Sequence, residues 1–387
     1  MDTYATAMPV SRRGFLRVTA FSGAVTSLAA ACAPAAPQPP SGAPPPAAGA
    51  GKPAWQQQWD DLVAAAKQEG KVVVVTSGYR AALDEFEKAF PGIAVEHQSV
   101  PSTSLFIPKI TDERKANIFS FDAASCPPPS FLSTLKPAGV FDSIRAAIIP
   151  RPDVVDNKNW LFGFEYGFTD LEKKFIFVTE GGLLVAMWIN TDLVKDNEIK
   201  SARNLLDAKW KGKILMTDVR TGNTYSVLAS MRKNLGDEPI RQLIQDQGVS
   251  FRRTGTEVAQ EFVRGNVPIA FGPTRADMDG FLAQGLGKNL KIVDLPEARA
   301  LGSTSAKFLF NRAPHPNAAK LFINWVMTKE GQQVWSKASQ TNSLRTDVAP
   351  IQPGDVPDPK STLLDLSIEE TIPYQVSTRT WLEGLVK

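Results

Sequence analysis

Length, composition and charge already exclude several classes of protein. The chain has 387 residues, of which 43% are hydrophobic and 21% are charged, so it has enough apolar side chains for a folded core and is not a disordered chain. Its 43 lysines and arginines nearly balance its 40 aspartates and glutamates, which argues against nucleic-acid binding, because that affinity needs many phosphate-neutralising cations.

The first 31 residues have the layout of a targeting peptide. Arg12 and Arg13 precede Gly14-Phe15-Leu16, and the stretch from Val18 to Ala31 carries no charge. A basic head followed by an apolar run too short to span a bilayer is typical of an export signal. The adjacent arginines predict the twin-arginine route. A chance arginine pair on a surface helix is the alternative.

Cys32 follows Ala29-Ala30-Ala31, which resembles the lipidation box of bacterial lipoproteins, where the thiol receives a diacylglyceryl group. Leu28 stands one place too early for that box, so plain cleavage at an Ala-x-Ala site stays open. Residues 32–53 are almost wholly Ala, Pro, Gly, Ser and Gln after the cysteine, which predicts a disordered tether. We therefore expect a lipid-anchored protein in the periplasm or at the cell surface.

The rest of the chain alternates between helical and strand patterns. Apolar residues from Trp55 to Ala66 recur at helical spacing, and Gly70 ends that helix. Lys71–Thr76 is a β-branched run typical of a buried parallel strand. Further strands are predicted at 93–98, 121–125, 183–190, 213–218, 249–253, 267–271, 290–295 and 307–310. Further helices are predicted at 81–90, 103–116, 129–135, 223–235, 240–247, 257–264, 317–327 and 331–338. This order predicts two α/β lobes with parallel sheets.

Several blocks resemble the extracellular solute-binding proteins of ABC importers, of the ferric-iron-binding and related type. The resemblance covers roughly residues 70–350, and an ordered series of blocks is more specific than any single one. The blocks are 70–77, 86–96, 110–114, 190–194, 205–214 and, as the most diagnostic, 318–333.

The resemblance implies an α/β, two-lobed periplasmic-binding-protein (Venus-flytrap) fold with the ligand cleft between the lobes. The first lobe would comprise residues 54–180, completed by about 290–330, and the second 181–289, completed by about 331–387. It further implies a monomer without cofactor that binds a small molecule, closes on it and delivers it to ABC permease subunits.

Two residues limit the class of ligand that we expect this chain to bind. In the iron-binding relatives an adjacent tyrosine pair follows the strand that resembles 267–271, and its phenolates hold the ferric ion. Thr274 and Arg275 occupy those positions here, and a guanidinium offers donors only, so it suits an anion rather than a trivalent cation. We expect an anionic organic solute, with ferric iron as the alternative. The alternative is that Arg275 is a solvated arginine at the start of a surface helix and does not contact the ligand.

The remaining candidates for ligand contact stand where strands give way to helices, the crevice side of an α/β sheet. An ordinary N-cap explains the second-lobe residues among them equally well, and Cys126 suits a buried packing role. The candidates are Ser77, Tyr79, Arg80, Ser125, Cys126, Thr221, Gly222, Asn223, Thr224 and Tyr225.

An exported enzyme is the rival class. The chain holds only two histidines, His97 and His315, and has neither a zinc-protease His-Glu-x-x-His motif nor a Gly-x-Ser-x-Gly elbow. No metal site is predicted. We therefore expect no catalysis, while an enzyme exported by the twin-arginine route stays open.

Overall fold

The computed structural model describes residues 52–100, 103–184, 187–195, 197–220, 222–303 and 305–386. The expected signal peptide, Cys32 and nearly all of the tether lie outside these residues.

The strands and helices follow the alternation expected from the sequence. The strands are β1 (Lys71–Thr76), β2 (Ala94–Ser99), β3 (Ala123–Cys126), β4 (Phe141–Asp142), β5 (Ile176–Val178), β6 (Gly182–Leu183), β7 (Met187–Asn190), β8 (Ile214–Thr217), β9 (Ser250–Arg252), β10 (Ile269–Phe271), β11 (Leu290–Ile292), β12 (Ala300–Gly302), β13 (Ala306–Phe310) and β14 (Leu364–Asp365). The α-helices are α1 (Ala54–Glu69), α2 (Arg80–Ala89), α3 (Thr103–Lys115), α4 (Pro128–Ser130), α5 (Ile144–Ala147), α6 (Pro152–Val155), α7 (Gly222–Leu235), α8 (Asp237–Gln245), α9 (Gly255–Phe262), α10 (Arg275–Ala283), α11 (Pro316–Val326), α12 (Lys329–Ser339) and α13 (Ile372–Leu385).

Short helical turns link these elements. One is a π-helical turn at Phe131–Leu135, and the 3-10 turns are Asn157–Asn159, Phe164–Gly167, Ala202–Leu206, Ala208–Trp210, Pro296–Ala298, Pro353–Asp355 and Glu369–Thr371.

The first lobe is built on a sheet with strand order β2-β1-β3-β13-β4, and β5 also pairs with β13. β1 runs parallel to β2 and β3, while β13 is antiparallel to its neighbours. Val72 to Val75 are buried, because helices cover both faces of the sheet and a continuous β-branched run is then favoured. Helix α1 packs on α11 and ends at Gly70, whose φ of 67° suits glycine at a helix C-terminus.

The second lobe is built on a sheet with strand order β11-β7-β10-β8-β9. β8 is parallel to both β9 and β10, and β7 is antiparallel to β10 and β11. One face of this sheet is covered by α7, α8 and α13, and the other packs against α9 and α10 through Phe262 and Met278. Each lobe therefore has its own hydrophobic core.

The chain crosses between the lobes at three places. β5 leads into β6, β12 leads into β13, and a third segment runs from Leu344, in the first core, to Leu364, in the second. β6 and β12 pair with each other in a small sheet of order β14-β12-β6. The first two crossings thus lie side by side.

The structure corrects the expected lobe boundaries at two places. Leu290–Ile292, assigned from the sequence to the first lobe, pairs with β7 in the second sheet. Helix α12, assigned to the second lobe, packs on α2 of the first. Strand pairing and helix packing join residues far apart in sequence, so local periodicity does not reveal the lobe to which a late segment returns.

Candidate functional site

Three helices begin at one edge of the second sheet. β8, β9 and β10 run in the same direction, so the helices that follow them start at the same edge. α7 starts at Gly222, α9 at Gly255 and α10 at Arg275. The unpaired backbone N–H groups of a helix's first turn create a positive potential, so this edge of the sheet suits an anion.

A cavity of about 270 Å³ lies at this edge. Arg253, an exposed residue directly after β9, adds a full positive charge to the three helix starts. Gly272 ends β10 with φ of 109°, and a Cβ there would lie 2.3 Å from Thr217 Oγ1, so only glycine keeps this approach of β10 to β8. The lining residues are Thr217, Gly222, Arg253, Thr254, Gly255, Gly272, Thr274 and Asp277.

Thr274 serves as the N-cap of α10. Its hydroxyl donates to Asp277 Oδ2 over 2.7 Å and accepts from the Asp277 backbone N–H over 3.1 Å. Its own N–H donates to the same carboxylate over 2.8 Å, which completes a reciprocal capping box. Thr274 therefore holds the helix start in place, and the carboxylate of Asp277 offsets part of the positive charge at the cavity.

Arg275 lies at the first position of α10 and lines a second cavity, of about 400 Å³. Its Nε donates to Asp355 Oδ1 over 2.7 Å, and the side chain is 31% exposed. The guanidinium lies against Gly354, where a Cβ would be 2.7 Å from Nη2. Gly182 of β6 and Asn342 line the same cavity. Arg275 thus faces the crossing segments and is neither a solvated surface residue nor a cation without a partner.

Thr224 and Tyr225 are buried on α7. The Thr224 hydroxyl is hydrogen-bonded to the Thr217 hydroxyl, and the Tyr225 hydroxyl donates to the backbone oxygen of Gln375 over 2.8 Å. Burial raises the pKa of Tyr225 to about 12. Both buried side chains therefore hold the start of α7 against the neighbouring segments. The same segment contains three other predicted ligand-contact residues. Gly222 lies exposed at the cavity, while Thr221 and the side chain of Asn223 lie outside the described part of the chain.

The first-lobe candidates at the end of β1 separate into two groups. The Tyr79 ring packs edge-on against Trp335 with ring centroids 5.8 Å apart, and Ser77 is hydrogen-bonded to the Cys126 thiol. Arg80, by contrast, binds Asp84 and Glu87 over 2.7 and 2.8 Å. It also donates to the backbone oxygen of Val95 over 3.1 Å. Its guanidinium therefore joins α2 to β2 in this structure, and its contact with a ligand stays a prediction.

Ser125 and Cys126 are fully buried at the end of β3. The Ser125 hydroxyl is bonded to Ser305 and accepts from Lys307 Nζ over 2.9 Å. Burial raises the pKa of the Cys126 thiol to about 12. Neither side chain is presented to solvent in this structure, and their contact with a ligand stays a prediction. They form the inner layer beneath the edge of the first lobe.

Sequence reasoning missed two charged residues of these cavities. Arg253 could have been predicted from the sequence, because it ends a predicted strand of the second lobe. Residues at the ends of such strands lie at the crevice side of an α/β sheet, and Thr274 was selected for that reason. Asp355 had no local signal, since it lies 80 residues from its partner Arg275 in the sequence.

No cluster of three or more His, Cys, Asp or Glu side chains that could hold a metal ion occurs within the described residues. Three of the tyrosines there are engaged elsewhere. Tyr166 donates to Asp365, Tyr225 to Gln375, and Tyr374 to the backbone oxygen of Ala229. The two histidines are bonded to Thr76 and Asp122. Across the ranges that the structure covers, no helix has the length and apolar character to cross a membrane.

The sequence profile described as bacterial extracellular solute-binding protein matches residues 81–361. That match spans more than half of the chain. The chain belongs to this family of bacterial extracellular solute-binding proteins. No curated protein sequence matches it.

Solved structures resemble this solute-binding protein over most of its length. The Trichodesmium protein IdiA (FutA), in complex with iron and citrate ligands, has a TM-score of 0.61 at 15% identity and covers 82% of this chain and 99% of its own. The Bordetella ferric binding protein has a TM-score of 0.60 at 16% identity, with 81% and 98% covered. A substrate binding protein of an ABC transporter from Agrobacterium tumefaciens has a TM-score of 0.56 at 14% identity, with 83% and 95% covered.

These comparisons confirm the expected two-lobed α/β fold. The family match thus identifies the chain as a bacterial extracellular protein that binds a solute. At identities of 16% or lower, the structural likeness carries the fold and leaves the ligand to be argued from this chain's own residues.

Proposed function

We propose that this protein captures a small anionic solute between its lobes, closes on it and delivers it to membrane permease subunits without chemical change. The cavity where α7, α9 and α10 begin carries the proposal. Three helix starts and the guanidinium of Arg253 face one space of about 270 Å³, a size that fits a small carboxylate or phosphate. Arg275, at the first position of α10, supplies a second cation to the cavity of about 400 Å³ that also contacts Thr274.

Ferric iron is the second candidate, and the comparisons favour it over an organic anion. The Bordetella and Trichodesmium neighbours are named for ferric binding and for iron with citrate. The resemblance to the iron-binding relatives places Thr274 and Arg275 at the positions of their tyrosine pair. A ferric ion here would need oxygen donors that an accompanying anion supplies, since arginine donates hydrogen bonds and repels a cation. Both candidates therefore use the same anion-binding edge.

A titration of the ligand-free protein separates the two candidates. Citrate, inorganic phosphate and ferric citrate are compared by calorimetry and thermal shift, because a ligand that binds only the folded state raises the melting temperature. Binding of citrate or phosphate in the absence of iron supports an organic or inorganic anion as the solute. Binding of ferric citrate without binding of citrate supports ferric iron. A strong tyrosinate-to-iron absorption band would contradict the anion-mediated arrangement.

Arg253 is the residue that tests the cavity itself. Arg253→Ala should weaken binding of the anion by up to roughly 1 kcal/mol, since the residue is exposed and solvent screens part of its charge. Arg252→Ala is the matched control, because that guanidinium pairs with Glu261 over 2.6 Å. Equal affinities for the two variants would remove the cavity from the binding site.

An exported enzyme is the weaker interpretation. The described residues bring neither histidine near a nucleophile in the cavity, and each ring is held by a neighbour on the first sheet. We expect the bound solute to be recovered unchanged after incubation. Mass spectrometry of the solute before and after incubation checks this, and any converted product would establish catalysis.

We also propose export by the twin-arginine route and lipid anchoring at Cys32. Support comes from Arg12-Arg13, the uncharged run that follows and the small residues before the cysteine. Intact protein should carry diacylglyceryl mass at Cys32 and fractionate with membranes. Cys32→Ser should be soluble after export. Unmodified, freely soluble wild-type protein would contradict the anchor.

A further inference from the structure

A buried ion pair lies where the first lobe meets the crossing segments. Lys307 Nζ and Glu180 Oε2 are 2.8 Å apart, and both side chains are 0% exposed. The ammonium group also donates to the hydroxyls of Ser125 and Ser305 over 2.9 and 2.8 Å. Glu180 Oε1 accepts from Gln332 over 2.8 Å. Every charged atom of the pair thus has a protein partner.

The pair joins all three crossings between the lobes. Glu180 follows β5, on the first crossing, and Lys307 lies in β13, just after the second. Glu180 also forms an antiparallel bridge with Ser343, at the start of the third. The Ser343 hydroxyl donates to Gln332 over 2.6 Å, and Gln332 in turn donates to Glu180. One hydrogen-bonded network therefore holds three otherwise separate segments against the first lobe.

Glycines begin directly beyond this network, on the side of the second lobe. A Cβ on Gly181 would lie 3.2 Å from the backbone oxygen of Gly302, and a Cβ on Gly302 would lie 2.7 Å from a Leu184 methyl group. The first two crossings therefore touch backbone to backbone here, and glycine has the widest freedom of backbone rotation. Gly182 continues this segment into β6. The charged network on the first two crossings is thus followed directly by glycines, two of which, Gly182 and Gly302, pair with each other in the small sheet.

The same network reaches the end of β1. Trp335 Nε1 donates to the Ser305 hydroxyl over 2.8 Å, and Lys307 Nζ lies 4.6 Å from the centre of the Trp335 ring. Tyr79, which stands at the start of α2, packs edge-on against the same ring. The position of Tyr79 is thus set by the side chains that hold the crossings.

A contribution to stability does not by itself account for this pair. Burial lowers the pKa of Lys307, with the neighbouring Glu180 acting in the opposite direction. Desolvation of two charges offsets much of their attraction, and buried ion pairs are often no more stabilising than apolar residues of the same volume. In the observed arrangement, however, every charged atom of the pair has a hydrogen-bond partner. It therefore suits the fixing of a geometry.

We propose that Lys307 and Glu180 are positioning residues that fix the pivot between the lobes, so that rotation occurs at Gly181, Gly182 and Gly302. The proposal rests on the proposed function only in that lobe rotation serves solute capture. The pair is formed by the protein's own side chains, so it can be tested in the ligand-free protein.

The test compares two charge-neutralising double variants of the full chain. Lys307→Met with Glu180→Gln removes the buried pair at nearly constant volume. Lys71→Met with Glu96→Gln makes the same changes at an exposed pair on the first sheet, with side chains 43% and 59% exposed. Spin labels are placed at exposed Lys88 and Lys233, one on each lobe, in a Cys32→Ser background, and the distance between them is measured by pulsed electron resonance.

The buried double variant should show an interlobe distance distribution at least about twofold broader than the parent, because the pivot is no longer fixed. The exposed double variant should match the parent. An unchanged distribution in a folded buried variant would overturn the proposal. Failure to bind any solute would leave the distance result intact, so the two proposals fail separately.

A milder variant covers the case in which the double variant does not fold. Ser305→Ala keeps the ion pair but removes the hydroxyl that contacts Lys307, Ser125 and Trp335. It should broaden the distribution measurably while the melting temperature falls by no more than about 5 °C. A distribution as narrow as that of the parent, with the hydroxyl gone, would contradict a positioning role for the network.

Discussion

Arg275 donates from Nε to Asp355 Oδ1 over 2.7 Å and so joins the first turn of α10 to the third crossing between the lobes. The two residues are 80 positions apart in the sequence. Since the Arg275 side chain is 31% exposed, the pair is partly screened by water, and its contribution to the free energy of unfolding should be about 1 kcal/mol or less. The larger effect of the pair is that Asp355 competes with other anions for the Arg275 guanidinium.

Arg275 and Asp355 should change anion affinity in opposite directions. Arg275→Ala removes a fork that can hold two oxygens and should weaken binding by about 1.5–3 kcal/mol. Arg275→Lys should recover only part of that loss. Asp355→Asn removes the competing carboxylate and should strengthen binding. Calorimetry with the anion found by titration measures all three.

Arg241→Ala is the matched control for Arg275, because that arginine pairs with Glu238 on the exposed face of α8. Its affinity for the anion should equal that of the parent. If Arg275→Ala behaves like Arg241→Ala, Arg275 only anchors the crossing segment and takes no part in binding.

Two glycines near the second-lobe cavity should respond oppositely to alanine. Gly272→Ala places a Cβ 2.3 Å from Thr217 Oγ1 at a φ of 109°, so the ends of β8 and β10 must separate. It should destabilise the protein by about 1–3 kcal/mol and weaken anion binding. Gly280 lies inside α10 with open space at the Cβ position, so Gly280→Ala should stabilise by about 0.4–1 kcal/mol. Urea unfolding checks both, and equal effects would contradict the close approach at Gly272.

The Cys126 thiol should be unreactive in the folded protein. Burial raises its pKa to about 12, so the reactive thiolate is scarce at neutral pH, and the side chain is fully buried. In a Cys32→Ser background, Ellman's reagent should release almost no colour until denaturant is added, and should then release one equivalent. Fast reaction of the folded protein would show that the end of β3 is open to solvent.

The raised pKa of Asp365 should make the free energy of unfolding decrease as the pH rises above the ordinary carboxyl pKa. Burial raises its pKa above the ordinary carboxyl value, while Tyr166 and Ser367 oppose the shift by hydrogen bonding. Between about pH 4 and the raised value, the folded state keeps a proton that the unfolded chain has released. The folded state therefore binds more protons in this window, and the free energy of unfolding decreases as pH rises through it.

Asp365→Asn removes this titration, so the free energy of unfolding should fall less steeply across the same window. Urea unfolding at several pH values measures the slope. Asp60→Asn, at an exposed carboxylate 43% accessible, is the control and should keep the slope of the parent. A parent-like slope for Asp365→Asn would show that another group is responsible.

Local pattern was sufficient to predict the longer strands and helices up to residue 338, whereas β4, β5, β12, β14 and α13 were not predicted. The valine run from Val72 to Val75 and the apolar stripe of α1 have periodicities that follow directly from strand and helix geometry. The block at 318–333 lies in α11 and α12, and it carried the resemblance to the family that the comparisons then confirmed. The ends of β1, β8 and β10 were also found, because strand ends and helix starts mark the chain locally.

The sequence by itself thus determined the class of protein, the alternation of most of its elements and the ends of the strands that lead into helices. Only the tertiary structure decided what each polar side chain does there. Arg80 turns to Asp84 and Glu87, Thr274 caps its helix, and Glu180 meets Lys307 across 127 residues. The physical reason is that a charged or hydroxyl group binds whichever partner packing brings within about 3 Å, and packing joins segments whose separation in the sequence carries no trace of the contact.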